Sequence, residues 1–362
     1  MTQYAKDGPG DDAPLQRMRF YLREIGQGPK NCRDLTRDEA RDALELILTQ
    51  QAMPAQMGAF LLLERFKGES PQELLGFADA IRAHAVRIQP KVEGLLDIGS
   101  PYDGRKRSIV VSPASSIVTA AAGVPVVMHG EKDLGPKHGV PIGDVLEALA
   151  IDTDAPPDEV EASIEAVGLG YMHQARFVPS LFALKDVREQ IALRSCIHTI
   201  EKVYNLAGAA YSVIGLTHLP YMEKMLAAAQ EMGFRRIMII QGIEGNEDAP
   251  TSRPCRAFLW EGGEVRELRI DAQEYRLQPA SQEEMAGGDA SYNAGLALRI
   301  LEGEAGPYRD LVVLNAGIRI FLGERAASVA DGVALAREAL DSGAARAKLE
   351  ALRARAASRS SA

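Results

Sequence analysis

The amino-acid sequence predicts an α/β protein in which a small all-helical N-terminal domain precedes a larger α/β domain with a mostly parallel central sheet. Two observations carry this expectation. Residues up to about 92 hold helical patterns with almost no strand signal, and from Leu95 onward short β-branched runs alternate with helical ones. Strands alternating with helices build a parallel sheet from βαβ crossovers. The chain has 362 residues, 46% hydrophobic and 25% charged, which suits a soluble globular protein of two domains or one elaborated α/β domain.

The elements follow in order. Thr36-Arg-Asp-Glu39 is a capping box, and it opens onto Leu44, Ile47 and Leu48, spaced for one helical face. MPAQMGAFLLLERFKG predicts a helix that breaks off at Gly68. Ser70-Pro71-Gln-Glu73 repeats the box, with proline at the first helical position, where its missing N–H is harmless. Leu74, Phe77, Ala78 and Ile81 then form a buried stripe. Beyond Leu95 come LLDI, SSIVTAAAG, VPVVM, GDVLEALAI and PPDEVEASIEAVG, then YSVIGLT, YMEKMLAAAQEMG and RRIMIIQG. The Gly-Gly of FLWEGGEVREL predicts a hairpin, and DLVVLN a last strand before helices that end in REALDSG. Residues 184–206 are helical and interrupt the alternation, so they are expected to return to the N-terminal helices. The expected division is therefore 1–92 with 184–206, then 93–345, then a basic tail, 346–362, that frays.

Composition narrows the function. A net charge of −9 gives no global attraction for polyanions. Three scattered cysteines, none in a C-x-x-C pair, suit a reducing compartment. MTQYAKDGPGDDAP is too polar for a signal peptide, and no apolar run approaches the roughly 20 residues that span a bilayer. A cytoplasmic protein without membrane contact is expected.

Four constellations could carry chemistry. In DIGSPYDGRKRS, Gly99, Asp103 and Gly104 stand where a strand ends, with Lys106 and Arg107 beside them. Ser112 and Ser115 open the next helix, where free N–H groups and the macrodipole favour an anion. A surface turn with a serine cap explains the same residues. His129-Gly130 follows directly on a strand, where ligands of parallel sheets bind, and the histidine could donate to a substrate or simply tie down a turn. Glu247 and Asp248, near Glu244, sit on a loop after RRIMII and suit Mg²⁺ carrying phosphate oxygens, or form a solvated acidic turn. Arg188, Arg194 and Arg176 offer guanidinium forks for a carboxylate or phosphate, or salt bridges on a helix.

Taken together, AAAGVPVVMHG, DVLEALAI and the long block GGDASYNAGLALRILEGEAGPYRDLVVLNAGIRIFLGERAASVADGVALAREALDSG resemble the anthranilate phosphoribosyltransferases and their glycosyltransferase-family-3 relatives. The resemblance implies a small helical domain, an α/β domain, an active site between them and a homodimer formed through the helical domain. It implies that Gly99-Ser-Pro-Tyr-Asp-Gly104 stands in place of the family's G-T-G-G-D-G, which holds the pyrophosphate of phosphoribosyl pyrophosphate (PRPP). Pro101 and Tyr102 replace both inner glycines; proline removes a donor and fixes φ. N-x-S-T becomes Val110-Val-Ser-Pro113, and K-H-G-N-R becomes Met128-His-Gly-Glu-Lys132.

By the same resemblance Glu247 and Asp248 hold the metal, and Arg188 and Arg176 face the acceptor with His129. The expected function is pentosyl transfer from PRPP or a related sugar phosphate, with Mg²⁺, to a nitrogen acceptor. One alternative is a diverged paralogue whose dimer binds nucleic acid through Arg105-Lys-Arg107, Arg235-Arg236 and the basic tail. The other is the anthranilate reaction itself.

Overall fold

The computed structural model describes residues 13–28, 30–217, 219–281 and 283–360; the polar stretch 1–12 and the last two residues of the tail lie outside the described residues. Four helices come first: α1 (Pro14–Gly26), α2 (Arg37–Leu48), α3 (Pro54–Lys67) and α4 (Pro71–Ala83). Both capping boxes form, Thr36 with Glu39 and Ser70 with Glu73. Glu73 has a second task. Its buried carboxylate also accepts from the Leu35 amide at 2.7 Å and from Lys67 Nζ at 2.6 Å, which joins the start of α4 to the entry of α2.

Beside it, Glu64 is 0% exposed; neither of its oxygens has a hydrogen-bond partner, although Lys67 Nζ stands 3.5 Å from Oε2. Burial, and then the Glu73 carboxylate, push the Glu64 pKa up to about 8. An unfolded carboxyl ionises near 4.5 while this one ionises near 8, so stability falls as pH rises across that interval. Glu64→Gln is expected to stabilise the fold by about 1–3 kcal/mol near pH 8 and to be almost neutral near pH 5. Urea titrations at the two pH values measure the difference.

The sheet has seven strands: β1 (Leu96–Gly99), β2 (Val126–Gly130), β3 (Leu169–His173), β4 (Tyr211–Gly215), β5 (Arg236–Ile240), β6 (Cys255–Glu261) and β7 (Glu264–Ile270). Their order is β3-β2-β1-β4-β5-β6-β7. The first five are parallel, and the hairpin of β6 and β7 closes one edge antiparallel. The chain leaves β1 toward β2 and later returns to β4 on its other side, so the topological switch lies between β1 and β4. In such sheets the crevice outside the carboxyl ends of those two strands is where ligands bind.

Alternate strand residues feed two cores, as the two-residue period of a strand requires. Val213, Met238 and Ile240 face a core with α5 (Ser112–Ala121), α6 (Ile142–Ala148), α13 (Ala290–Leu301), α14 (Pro307–Leu322), α15 (Val329–Asp341) and α16 (Ala344–Ser360). Ile214, Ile237 and Ile239 face the other core, shared with the N-terminal helices, α7 (Pro157–Val167) and α12 (Met222–Glu231). Between β3 and β4 lie four short helices: α8 (Gln174–Phe177), α9 (Pro179–Phe182), α10 (Lys185–Ile191) and α11 (Ile197–Ile200). Of these, α10 packs on α3 and α11 on α4, so the helical unit is stitched to the sheet by two separate passes of the chain.

Two expectations change. DLVVLN is not a strand but the middle of α14. Its β-branched run is apolar because Leu311 to Leu314 are buried on every side, and Pro307 at the start pre-sets the helix. The basic tail does not fray. Helix α16 docks through Ala345, Leu349 and Leu352, Lys348 Nζ meets the Val167 carbonyl at 2.6 Å, and Arg353 Nε the Leu149 carbonyl at 2.8 Å. Those carbonyls lie at helix C-termini, where free acceptors attract cations.

Candidate active site

The loop after β1 is rebuilt from within. Ser100 N donates to Ile98 O at 2.8 Å and Gly104 N to Pro101 O at 3.1 Å. Arg105 exchanges two backbone bonds with Val140, and Gly139 N donates to Asp103 O at 2.9 Å. Gly104 takes φ +70°, a left-handed conformation that suits glycine, and a Cβ there would stand 2.5 Å from the Gly139 carbonyl carbon. These amides are therefore engaged inside the protein and do not point at a ligand.

Tyr102 turns inward and is 3% exposed. Its hydroxyl meets His129 Nδ1 at 2.8 Å and the Tyr204 hydroxyl, while His129 Nε2 meets Asp97 Oδ1 at 3.0 Å. The resemblance puts His129 beside the acceptor. The structure instead holds it in a buried polar chain, Asp97–His129–Tyr102–Tyr204, because Tyr102 fills the space that a glycine would leave. Gly130, next in β2, is equally buried.

The N-terminus of α5 does meet an anion, and the anion is the protein's own. Ser112 Oγ donates to the Glu247 carboxylate, as does Ser100 Oγ. Arg105, 3% exposed, places NH2 2.9 Å from Glu247 Oε1 and 2.5 Å from Asp248 Oδ2. Arg319, from α14, adds NH2 2.8 Å from Asp248 Oδ1 and NH1 2.5 Å from Ser115 Oγ. Two arginines thus neutralise two carboxylates. Burial would raise the Glu247 pKa, but Arg105 and Arg319 outweigh it and draw it down to about 2. Of the three consecutive basic residues, Arg105 enters this network, while Lys106 and Arg107 face solvent.

The remaining arginines are also paired. Arg188, expected to face the acceptor, is buried and grips Glu201 at 2.6 and 3.0 Å. Arg176 is exposed and bound to Asp154 at 2.9 and 2.5 Å. Arg194 forks onto Asp103 at 2.8–3.0 Å.

What stays open lies at the switch point. A cavity of about 370 Å³ sits beyond β1 and β4, lined by Asp103, Arg194, Ser195, His198, Lys202 and Thr217 together with Arg65 and Glu69 of the helical unit. Burial, then the charge of Arg188, hold the His198 pKa well below its usual value, so the ring is neutral and its Nε2 faces the Gly135 carbonyl at 3.2 Å. Of the residues that the sequence singles out, Asp103 and Arg194 reach this cavity, together with Pro101 and Tyr102 of the rebuilt loop. Lys202, Ser195 and His198 escape sequence reasoning, which draws only the arginines from the returning segment. Among the described residues no three His, Cys, Asp or Glu side chains stand together as metal ligands.

A helical bundle set against a mostly parallel sheet, with a cavity between them at the switch point, is the two-part architecture that the resemblance to the phosphoribosyltransferases implies. Comparison with known proteins agrees. Residues 97–346 match the model of the glycosyl transferase family α/β domain and residues 20–85 that of its helical bundle domain. The chain belongs to this glycosyl transferase family and is anthranilate phosphoribosyltransferase-like.

It is 37% identical to the anthranilate phosphoribosyltransferase of Methanocorpusculum labreanum, over 88% of this chain and 93% of that one. It is 32% identical to that of Desulfitobacterium hafniense strain Y51, over 89% and 95%. The crystal structure of the Thermus thermophilus enzyme superposes with a TM-score of 0.81 at 29% identity, covering 93% of this chain and 99% of that one. The Saccharomyces cerevisiae enzyme, solved in complex with PRPP and Mg, shares the fold at 15% identity and a TM-score of 0.81, covering 94% and 98%.

Proposed function

We propose that the chain is a pentosyltransferase that takes PRPP and a nitrogen acceptor in the cavity between the helical unit and the sheet. The observation that carries this reading is the position of the cavity: it lies at the switch point, in a chain 37% identical to an anthranilate phosphoribosyltransferase. Mg²⁺ enters with PRPP as the counter-ion of its pyrophosphate. Glu247 and Asp248 do not fit a resident ion, because the Arg105 guanidinium already binds both of them and Arg319 binds Asp248 again.

In the reaction the acceptor nitrogen attacks C1 of the ribose, the C1–O bond breaks, and pyrophosphate departs with the bonding electrons while the nitrogen loses a proton. Catalysis of this kind is mostly positioning and stabilisation of the departing charge. Arg194, held flat by Asp103, presents its guanidinium edge to the cavity, and Lys202 adds an ammonium. Arg105, Arg319, Ser112 and Ser115, with the carboxylates of Glu247 and Asp248, form a neutral cluster behind the cavity. His129 and Arg188 fix the loop after β1 and the returning segment, and Arg176 lies outside.

Incubating the purified chain with PRPP, Mg²⁺ and a panel of aromatic amines including anthranilate is expected to release pyrophosphate and yield an N-ribosyl phosphate. No pyrophosphate release with any amine or nucleobase sinks the reading.

The same reading places the chain as a homodimer joined through the helical unit, where Leu15 and Met53 are 42% and 57% exposed; light scattering checks this. The three cysteines are unpaired, which supports a reducing compartment. No helix among the described residues is long and apolar enough to cross a membrane. The basic clusters favour a small ligand over nucleic acid. Arg355 meets Glu159 at 3.1 Å, Arg359 meets Asp152 at 2.9 Å and Arg236 meets Glu261 at 3.1 Å, so most of their charge is answered within the chain.

A further inference from the structure

The charges around the cavity are almost all matched. Arg194 is taken by Asp103, Lys137 stands 3.8 Å from Glu244, and Glu247 is held by Arg105. Among the described residues two cations lining it have no carboxylate partner: the exposed Arg65, which donates to the Arg194 carbonyl at 2.5 Å, and the half-buried Lys202. Lys202 sits on the returning segment just past α11, and its Nζ makes one hydrogen bond, 3.1 Å to the carbonyl of Gly215 at the end of β4. An ammonium carries three donors and no acceptor. Nearby, Ser195 is 6% exposed, lines the same cavity, and its hydroxyl has no partner. A cation and a hydroxyl, both under-satisfied and both lining one cavity, lack an oxyanion.

We propose that Lys202 and Ser195 form an oxyanion subsite of the cavity that grips a phosphoryl group of the substrate, in place of the backbone amides that the loop after β1 has turned inward. The inference deepens the transferase reading and rests on it for the substrate's identity. Burial first, and then the neighbouring Arg194, bring the Lys202 pKa down to about 8, with Glu247 and Asp103 opposing the fall and Lys137 adding to it. These four groups, from the returning segment and the three loops packed against it, set its charge. Below that pH the ammonium is present for an anion, and above it the amine is neutral. A bound phosphoryl group therefore draws a proton onto Lys202.

The probe is inorganic pyrophosphate, titrated calorimetrically into the full chain across the alkaline range, with ribose 5-phosphate and anthranilate as parallel arms. Wild type is expected to bind pyrophosphate and to lose about tenfold in affinity per pH unit above about pH 8, the slope for one required proton. Lys202→Met should weaken binding at neutral pH by at least about tenfold, and Ser195→Ala by a few-fold. Lys202→Arg should keep the affinity and lose the break, since arginine does not titrate there. If Lys202→Met does not fold, the profile of Lys202→Arg alone decides the matter.

Three outcomes overturn the subsite: equal affinity in Lys202→Met, a break that persists in Lys202→Arg, or wild type that binds anthranilate but neither phosphate ligand. Failure of the transferase reading looks different. Wild type would then bind pyrophosphate through Lys202 and yet release none from PRPP.

Discussion

Arg105→Met is expected to cost about 3–5 kcal/mol, because it leaves Glu247 and Asp248 buried with one guanidinium where there were two. Urea unfolding at neutral pH is the measurement. The same change should move the acid limb. In the wild type the Glu247 pKa lies near 2, below its ordinary 4.5, so the stability it contributes is complete above 4.5 and is lost as pH falls toward 2. Without Arg105 that pKa rises, and the penalty of the substitution shrinks as the medium is acidified.

A second variant separates charge from shape. Arg105→Met combined with Glu247→Gln and Asp248→Asn removes the uncompensated charge and is expected to recover at least half of the loss. If Arg105→Met costs under about 1 kcal/mol, the network is not a buried ion cluster in solution.

Gly104→Ala is the other large effect. It introduces a Cβ at φ +70° and only 2.5 Å from the backbone of Gly139, so neither side can give way by rotating a side chain. Strain at positive φ and overpacking together are worth about 2–4 kcal/mol. Gly233→Ala is the control: φ is +94° but nothing lies within 4 Å of its Cβ, so only the conformational part, about 1 kcal/mol, should appear. Thermal melts of both variants compare the two costs. A Gly104→Ala melt equal to that of Gly233→Ala would mean that the loop is not pinned to residues 139–140.

Much of the fold is legible because it is written in local patterns. Thr36 with Glu39 and Ser70 with Glu73 are capping signals that need no tertiary context. Strand–helix alternation suffices for the parallel sheet. Two elements hide for physical reasons. Leu169–His173 escapes notice because Gly170 interrupts a short run that shows no alternation of burial. DLVVLN reads as a strand because a helix buried all round has no polar face to reveal its period.

The site is less legible. Gly99, Asp103 and Ser112 mark a place where an anion belongs, and that much follows from residue types. Which anion occupies it depends on Arg105 and Arg319, brought together from distant parts of the chain, and no local motif announces such a meeting. Likewise Lys202 looks like an ordinary helical lysine until Gly215 arrives beside it.

The Arg105–Glu247–Asp248–Arg319 cluster has a consequence for how the chain must be made. Arg105 comes from the first third of the sequence and the other three from the last third, and opposite charges withdrawn from water are tolerable only in company. Nascent protein halted before α14 would hold two acids against one guanidinium, and so could not close its sheet over them. Completion is thus coupled to assembly: residues 307–362 act as a licence for the rest to consolidate, and shortened products should be left open to proteolysis.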